Sequence, residues 1–147
     1  PEQTRNARKQ VSFDEKELIS GKGKILVVDD EPAIVKWTSQ VLTKLGYDVV
    51  GAENAQDALE KFSADPMGVD LVLTDQTMPG MTGLELSCAV RINRPDIPVV
   101  LCTGFSEGIT PRTIQSYGIA DMVMKPMIVG ELARIVRDAL HGSTQKD

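Results

Sequence analysis

The sequence predicts an α/β fold in which a central five-stranded parallel sheet has the strand order 2-1-3-4-5. Short β-branched segments, typical of strands buried on both faces, alternate with segments whose apolar residues recur at helical spacing. Such alternation indicates β-α-β units whose helices cover both faces of a mostly parallel sheet. The 147 residues allow one domain of ordinary size. At this length we expect the doubly wound, flavodoxin-like (βα)5 arrangement.

The first half of the chain supplies three strands and two helices. The predicted strands are "KILVVDD", "YDVVGAE" and "VDLVLTD". The first helix, "EPAIVKWTSQVLTKLG", should begin at Pro32 and stop at Gly46, because proline suits a first helical position and glycine commonly follows a last one. Apolar residues predict the buried faces of the two helices: Ile34, Val41, Leu42 and Leu45 in the first, and Ala55, Ala58, Leu59 and Phe62 in the second.

The second half supplies two further strands, "IPVVLCT" and "IADMVMK", and three helices. Gly104 and Gly108 interrupt the segment after the fourth strand, so we expect a loop as far as Thr110 and a short helix that begins at Pro111. The other two helices are predicted from apolar residues at helical spacing: Leu84, Cys88 and Ile92 in the third, and Ile128, Leu132, Ile135, Val136 and Ala139 in the last.

Changes in composition divide the chain into three parts. Residues 1–23 are polar and of mixed charge, as in a linker or flexible N-terminal arm, although the turn "FDEKELI" could instead dock on the domain or on a partner. The folded domain is expected over residues 24–141, followed by a C-terminal tail over 142–147. The chain begins at Pro1 without a methionine, which suggests a piece of a longer protein.

Composition also narrows the function. The net charge of −5 and the scattered basic residues argue against a nucleic-acid surface. No apolar run approaches the ~20 residues of a membrane span, so no membrane contact is expected. Cys88 and Cys102 lack CxxC spacing and a nearby histidine, which argues against zinc. We expect both thiols to be reduced and buried, as suits a cytoplasmic protein.

Polar residues follow the predicted strands at their carboxyl ends. Asp29 and Asp30 follow the first strand, Asp75 the third, Thr103 the fourth and Lys125 the fifth. All carboxyl ends of a parallel sheet lie at one edge, and ligands of doubly wound sheets bind where the strand order reverses. The first and third strands are neighbours at that point. We therefore expect three carboxylates, a hydroxyl and an ammonium group to converge in one cleft.

Three carboxylates in one cleft require a cation or a proton. Two unit charges ~4 Å apart repel by roughly 4 kcal/mol at an effective dielectric constant near 20. Mg²⁺ is the fitting cofactor, because it takes one or two carboxylates and leaves positions for phosphate oxygens. A carboxylate beside it can attack a phosphoryl group to give an aspartyl phosphate. Lys125 and Thr103 would then bind phosphoryl oxygens.

Four motifs, each at a predicted strand end, carry a resemblance to a known family. The segments "ILVVDDEP", "LVLTDQTMPGMTGLEL", "PVVLCTG" and "MVMKP" together resemble the receiver domain of bacterial response regulators, the CheY-like family, over about Lys24 to Leu140. The resemblance implies a phosphoacceptor of two-component phosphorelays, which takes a phosphoryl group from a histidine kinase or a histidine phosphotransfer domain. It implies no enzyme in the usual sense, because a receiver catalyses only its own phosphorylation and hydrolysis.

The resemblance also implies roles for individual residues. Asp75 would be the phosphoacceptor, Thr103 the switch hydroxyl and Lys125 the phosphate-pairing cation, with a cis peptide bond before Pro126. The implied Mg²⁺ ligands are Asp29, Asp30, Asp75 and the backbone carbonyl of Thr77.

One position departs from the family pattern. Receivers commonly carry Tyr or Phe three residues before the lysine, whereas this chain has Met122. A thioether can fill the space but cannot report a rotamer change as a rigid ring does. Met122 therefore favours an alternative, an inactive pseudo-receiver that serves as a docking scaffold. The complete set of acidic residues argues against this alternative.

Two other classes fit less well. A haloacid-dehalogenase phosphatase would need Asp-x-Asp after the first strand, where this chain has Asp-Asp-Glu-Pro. A Rossmann nucleotide binder would need a glycine-rich turn there, and "DDEPAI" has no glycine.

The surrounding protein is also predicted by resemblance. "TDQTMPGMTG" and "VVLCTGFSE" are similar to the C-terminal receivers of hybrid sensor histidine kinases, and no output domain follows the last predicted helix. The parent is therefore expected to be such a kinase, which can be membrane-anchored. A single-domain regulator and a truncated DNA-binding regulator are the alternatives, and self-association is left open.

Overall fold

The computed structural model describes residues 21–146, with side chains described as far as His141. Five parallel strands form one sheet in the order β2-β1-β3-β4-β5, which confirms the predicted topology. The strands are β1 (Lys24–Val28), β2 (Asp48–Ala52), β3 (Leu71–Asp75), β4 (Val99–Thr103) and β5 (Asp121–Met124). The helices are α1 (Pro32–Lys44), α2 (Ala55–Ala64), α3 (Gly83–Asn93), α4 (Pro111–Ser116) and α5 (Val129–Lys146).

The core has two layers, one on each face of the sheet. Successive side chains of a strand point to opposite faces, so Leu26 packs with α2 and α3 while Ile25 and Val27 pack with α1 and α5. All five residues of β3 and of β4 are buried, as expected for central strands covered on both sides. The polar residues that end these strands are thereby held at the rim of a rigid core.

Backbone pairing fixes the position of β3 against β1. At the start of the pair, the backbone N–H of Lys24 donates to Oδ2 of Asp70 and the N–H of Asp70 donates to the carbonyl of Lys24, both at 2.8 Å. At the other end Val28 lies opposite Thr74. The next residues along the two strands, Asp29 and Asp75, therefore emerge side by side.

Helix starts follow their capping chemistry. α1 begins at Pro32, and α4 begins at Pro111 after the Thr110 hydroxyl caps the backbone N–H of Thr113, so both predicted starts are confirmed. Thr82 caps α3 in a reciprocal box with Glu85.

The predicted face of α3 is wrong in part. Leu84, Leu86 and Val90 are buried, whereas Ile92 is 80% exposed and Cys88 is exposed. Four residues span slightly more than one helical turn. Ile92, eight residues after Leu84, therefore lies about 80° around the helix from Leu84 and points away from the face that contacts the sheet. The expectation of a buried thiol therefore holds for Cys102 and fails for Cys88.

The faces and ends of two other helices also differ from expectation. In α1 the buried positions are Val35, Thr38 and Leu42, and Ile34 is only half-buried. Ile128 precedes α5 and is 65% exposed. α5 continues to Lys146, into the segment expected to be a tail. The predicted N-terminal arm lies outside the described residues, except for its last three.

The short helix α4 is anchored to its neighbour α3. The Arg91 guanidinium on α3 donates to the backbone carbonyl of Tyr117 at 2.5 Å and also to that of Gly118. These carbonyls lie at the end of α4, where a cation is favourable.

None of the helices within residues 21–146 combines the length and apolarity that a bilayer span requires.

Candidate functional site

The predicted polar residues meet at the carboxyl edge of the sheet. Asp29 and Asp30 lie just past β1, Asp75 and Thr103 end β3 and β4, and Lys125 follows β5. One carboxylate oxygen from each of the three aspartates lies within 4.8 Å of the others. Asp29 and Asp75 are buried and Asp30 is exposed, so the cluster reaches solvent through Asp30.

Lys125 joins two of the carboxylates. Its Nζ lies 2.8 Å from Oδ1 of Asp75 and 3.3 Å from Oδ2 of Asp29. Its backbone N–H donates to the carbonyl of Thr103 at 2.9 Å, which extends the β4–β5 ladder and sets the direction of the side chain. The peptide bond between Lys125 and Pro126 is cis, as expected.

Burial and neighbouring charges shift the pKa values of this cluster. Burial raises the pKa of Asp75, the Lys125 contact opposes this, and the charges of Asp29 and Glu107 add to it. Burial likewise raises the pKa of Asp29, against a hydrogen bond from the backbone N–H of Glu31 at 2.9 Å and the charge of Lys125. Burial would lower the pKa of Lys125, but the two carboxylates outweigh it and raise that pKa.

The donor set fits a hard divalent cation. Its side-chain donors are all carboxylate oxygens, which such cations prefer to nitrogen or sulfur. Within the part of the chain whose side chains are described, no well-aligned hydrogen-bond donor reaches the buried Oδ1 of Asp75, although Nζ of Lys125 is close. One ammonium does not balance three carboxylates, so a cation beside them would relieve both the unmet acceptor and the repulsion.

The turn after β3 holds Asp75 in place. The backbone N–H of Gly83 donates to the carbonyl of Gln76 at 2.9 Å, and the N–H of Leu84 donates to the Gln76 side chain at 3.0 Å. A Cβ atom on Gly83 would lie only 2.4 Å from the carbonyl oxygen of Asp75. Glycine at this position therefore lets α3 start directly against the strand end.

Thr77 lies in the loop after β3, and Thr103 is the last residue of the neighbouring strand β4. Thr77, whose backbone carbonyl is the fourth expected metal ligand, is exposed, and its hydroxyl donates to Oε1 of Glu107 at 2.6 Å. Thr103 is 1% exposed, and its hydroxyl makes a long contact of 3.4 Å with the carbonyl of Gly104. The Thr103 hydroxyl also hydrogen-bonds the Glu107 carboxylate and so helps to lower the pKa of that residue.

Glu107 is a residue of the site that the sequence reasoning missed. Its Oε2 accepts the backbone N–H of Gly104 at 2.8 Å, while its Oε1 holds Thr77. Burial opposes ionisation of Glu107, but hydrogen bonds from Thr77, Gly104 and Thr103 and the charge of Lys125 keep its pKa below the ordinary value. The available signal was the spacing in "GFSE", which matches the carboxylate position of a capping box.

The region where receivers carry an aromatic residue is filled differently here. Met122 is half-buried in β5 and lies opposite Leu101 of β4. Phe105 is 87% exposed and Tyr117 is 41% exposed. Neither ring lies in the core at the position that Met122 occupies.

Comparison with known proteins agrees with this geometry. Residues 25–137 match the family of the response regulator receiver domain. The chain is 34% identical over 120 residues to the DNA-binding transcriptional regulator NtrC of Azospirillum brasilense, covering 82% of this chain and 24% of NtrC. It is 34% identical over 106 residues to the CAI-1 autoinducer sensor kinase/phosphatase CqsS of Vibrio cholerae, covering 70% of this chain and 15% of CqsS.

Solved structures show the same fold. A CheY-like response regulator receiver domain protein from Methanospirillum hungatei superposes with a TM-score of 0.74 at 27% identity, covering 86% of this chain and 100% of that one. A receiver domain protein from Clostridium thermocellum gives a TM-score of 0.79 at 24% identity, covering 85% and 99% of the two chains. The match over residues 25–137, with the shared strand order and the acidic edge, shows that the chain belongs to the response regulator receiver domain family, the phosphoacceptor modules of two-component signal transduction.

Proposed function

We propose that Asp75 is the residue of this receiver that accepts the phosphoryl group, with Mg²⁺ as its cofactor. The observation that carries the proposal is the contact between Lys125 and the buried Asp75 carboxylate at the edge where Asp29 and Asp30 also lie. The cation would be held by the carboxylates of Asp29, Asp30 and Asp75 and by the backbone carbonyl of Thr77. When bound, Mg²⁺ would neutralise charge on the phosphoryl oxygens.

The transfer step follows from the chemistry of a carboxylate and a phosphohistidine. A carboxylate oxygen of Asp75 attacks phosphorus, and an O–P bond forms as the P–N bond to the partner's imidazole breaks. The imidazole nitrogen keeps the electron pair and takes up a proton. Lys125 is placed to stabilise charge on the transferring group, because its ammonium already lies 2.8 Å from the attacking carboxylate.

Phosphorylation would change the surface through Thr103 and Lys125. The phosphoryl group adds roughly −1.5 to −2 charge at neutral pH. Its oxygens offer the hydroxyl of Thr103 a charged acceptor that competes with the carbonyl of Gly104 and the carboxylate of Glu107. The loops beside Thr103 would then shift from their unphosphorylated to their phosphorylated arrangement. The phosphoryl group can shift this equilibrium only by the free energy with which it stabilises the second arrangement over the first.

The test is phosphorylation by acetyl phosphate with Mg²⁺, followed by intact-mass spectrometry. Asp75→Asn should remove the mass increment of one phosphoryl group, and omission of Mg²⁺ should reduce it strongly. Asp48→Asn is the matched control, because Asp48 starts β2 and lies exposed at the opposite end of the sheet. A wild-type protein that stays unmodified, or an Asp75→Asn variant that labels normally, would refute the assignment.

We further propose that the parent is a cytoplasm-facing hybrid histidine kinase and that the phosphoryl donor is a histidine kinase or histidine phosphotransfer domain. The similarity of "TDQTMPGMTG" and "VVLCTGFSE" to hybrid-kinase receivers supports this, as does the match to CqsS, a sensor kinase/phosphatase. The chain spans less than a third of the length of curated relatives such as NtrC, itself a DNA-binding regulator. Transfer from a phosphorylated histidine phosphotransfer domain to Asp75, measured with radiolabelled phosphate, tests the donor class.

A further inference from the structure

Glu107 connects the two loops that border Asp75. It closes the 3₁₀ turn Phe105–Glu107, which belongs to the loop between β4 and α4 (residues 104–110, here the β4–α4 loop). One carboxylate oxygen accepts the Gly104 amide of its own loop, and the other accepts the Thr77 hydroxyl from the loop after β3. A single carboxylate therefore ties together segments that are 30 residues apart in the sequence.

The donors that Glu107 occupies lie where a phosphoryl group would arrive. Asp75 is in register with Cys102, so Thr103 and Gly104 continue past it at the same edge of the sheet. Thr77 follows Asp75 by two residues. The carboxylate of Glu107 thus takes hydrogen bonds from both of these loops while no phosphoryl group competes for them, and its charge helps to raise the pKa of Asp75.

We propose that Glu107 is a carboxylate latch, which holds the β4–α4 loop against the Thr77 loop in the unphosphorylated protein and is displaced when Asp75 is phosphorylated. The inference rests on Asp75 being the phosphoacceptor. A phosphoryl group repels the Glu107 carboxylate and offers stronger acceptors to the donors around it. Release of Glu107 frees the turn that carries the exposed Phe105.

The latch gives this receiver a route from the phosphate to its surface that does not need an aromatic ring at Met122. The coupling is electrostatic, through the Glu107 carboxylate, and its effect falls on the loop itself. Glu107 is accordingly a positioning residue, because it acts on the loop and on the donors near Asp75 and forms no bond to phosphorus.

The chain contains a matched control for the loss of this charge. Glu85 also sits three residues after a capping position, and it accepts the backbone N–H of Thr82 at 2.9 Å. Its hydrogen bonds stay within the first turn of α3, so it does not connect two loops. Glu107→Gln and Glu85→Gln remove the same charge from the same position, three residues after the start of a helical turn. Thr77→Val removes the hydroxyl that donates to Glu107 and leaves the charge of Glu107 in place.

The first measurement is the rate of labelling of Asp75 by acetyl phosphate with Mg²⁺. Glu107→Gln and Thr77→Val should each raise it by roughly threefold to tenfold, which corresponds to the typical net contribution of one intramolecular hydrogen bond. Their effects should not add in the double variant, because both break one contact. Glu85→Gln should keep the wild-type rate.

The second measurement is hydrogen exchange over residues 104–110, followed by mass spectrometry of the unmodified and the phosphorylated protein. In the wild type, phosphorylation should speed exchange in this segment. In Glu107→Gln, exchange should be fast before phosphorylation and change little after it.

The results separate this inference from the proposed function. If the wild type labels on Asp75 while Glu107→Gln matches Glu85→Gln in both rate and exchange, the latch is refuted and the phosphoacceptor assignment stands. A wild type that labels without any change in exchange over residues 104–110 also refutes the latch. A wild type that does not label at Asp75 refutes both.

Discussion

The ammonium of Lys125 lies 2.8 Å from Oδ1 of Asp75, and this contact spans from the end of β5 to the end of β3 across the whole width of β4. The same ammonium reaches Asp29 at 3.3 Å. Two buried carboxylates from non-adjacent parts of the sequence therefore share one cation, which opposes the rise that burial causes in the pKa of each.

Loss of Lys125 should destabilise the protein. Lys125→Met leaves Asp29 and Asp75 without their shared cation, and a buried charge stripped of its partner costs several kcal/mol; because Lys125 is 25% exposed, we expect about 1–3 kcal/mol. Urea unfolding at pH 7 measures the change, and added Mg²⁺ should restore part of the loss. Lys61→Met, which breaks an exposed ion pair with Asp57 and an exposed hydrogen bond to the carbonyl of Gly51, should cost less than about 1 kcal/mol. Equal losses in the two variants would contradict this account.

The stability of the wild type should fall relative to Asp75→Asn as pH rises from about 4 to 8 without divalent cations. The folded-state pKa of Asp75 is raised, chiefly by burial. A group with a raised folded-state pKa binds its proton more tightly in the native state than in the unfolded state. The protonated Asp75 therefore stabilises the fold below the unfolded pKa of about 4, and this stabilisation is lost as the pH rises through the raised folded-state pKa.

Chemical unfolding of the two proteins at several pH values measures this difference. Asp75→Asn should be the more stable protein at pH 8, and the gap should close toward pH 4. A difference in the free energy of unfolding that does not change with pH would show that burial does not raise the pKa of Asp75.

Gly83→Ala should weaken both the fold and the site. The new methyl group would meet the carbonyl oxygen of Asp75 at 2.4 Å and Cδ1 of Leu101 at 2.7 Å, so the start of α3 must move away from the strand. Overpacking of this kind costs about 1–3 kcal/mol. Labelling of Asp75 should slow as well, because the strand end shifts. The control is Gly104→Ala, where the nearest atom is 3.5 Å from the new Cβ and the backbone φ of −102° suits any residue.

The two thiols should differ in reactivity. Iodoacetamide at pH 8 should modify Cys88 in the native protein, because its side chain is exposed, and leave Cys102 unmodified. Burial raises the pKa of Cys102 to about 12, so little reactive thiolate exists even where the reagent reaches it. Mass spectrometry should find one modification in the native protein and two in urea. Native labelling of Cys102 would indicate that β4 opens locally.

Topology and the acidic edge were predictable because both follow from local signals. Asp29, Asp75 and Lys125 each end an apolar run, and parallel strands bring such ends to one edge. The buried face of α3 was less predictable, since Leu84 is followed by apolar residues at both Leu86 and Cys88, and only packing selects which of them faces the sheet. Glu107 was missed because its partner Thr77 lies 30 residues away, a pairing that no local pattern encodes.

The hydrogen bonds between Asp70 and Lys24 bear on the site from the far end of the sheet. Apolar residues cover both faces of β3, so its hydrophobic pattern alone would tolerate a slip of one residue against β1. Asp70 penalises such a slip, because its two bonds to Lys24 exist in a single alignment. The number of residues from Asp70 to Asp75 then sets the position of the Asp75 carboxylate at the carboxyl edge of the sheet. An inserted or deleted residue within this interval would leave the sheet well packed but would displace Asp75. The protein would then keep its fold and lose its function.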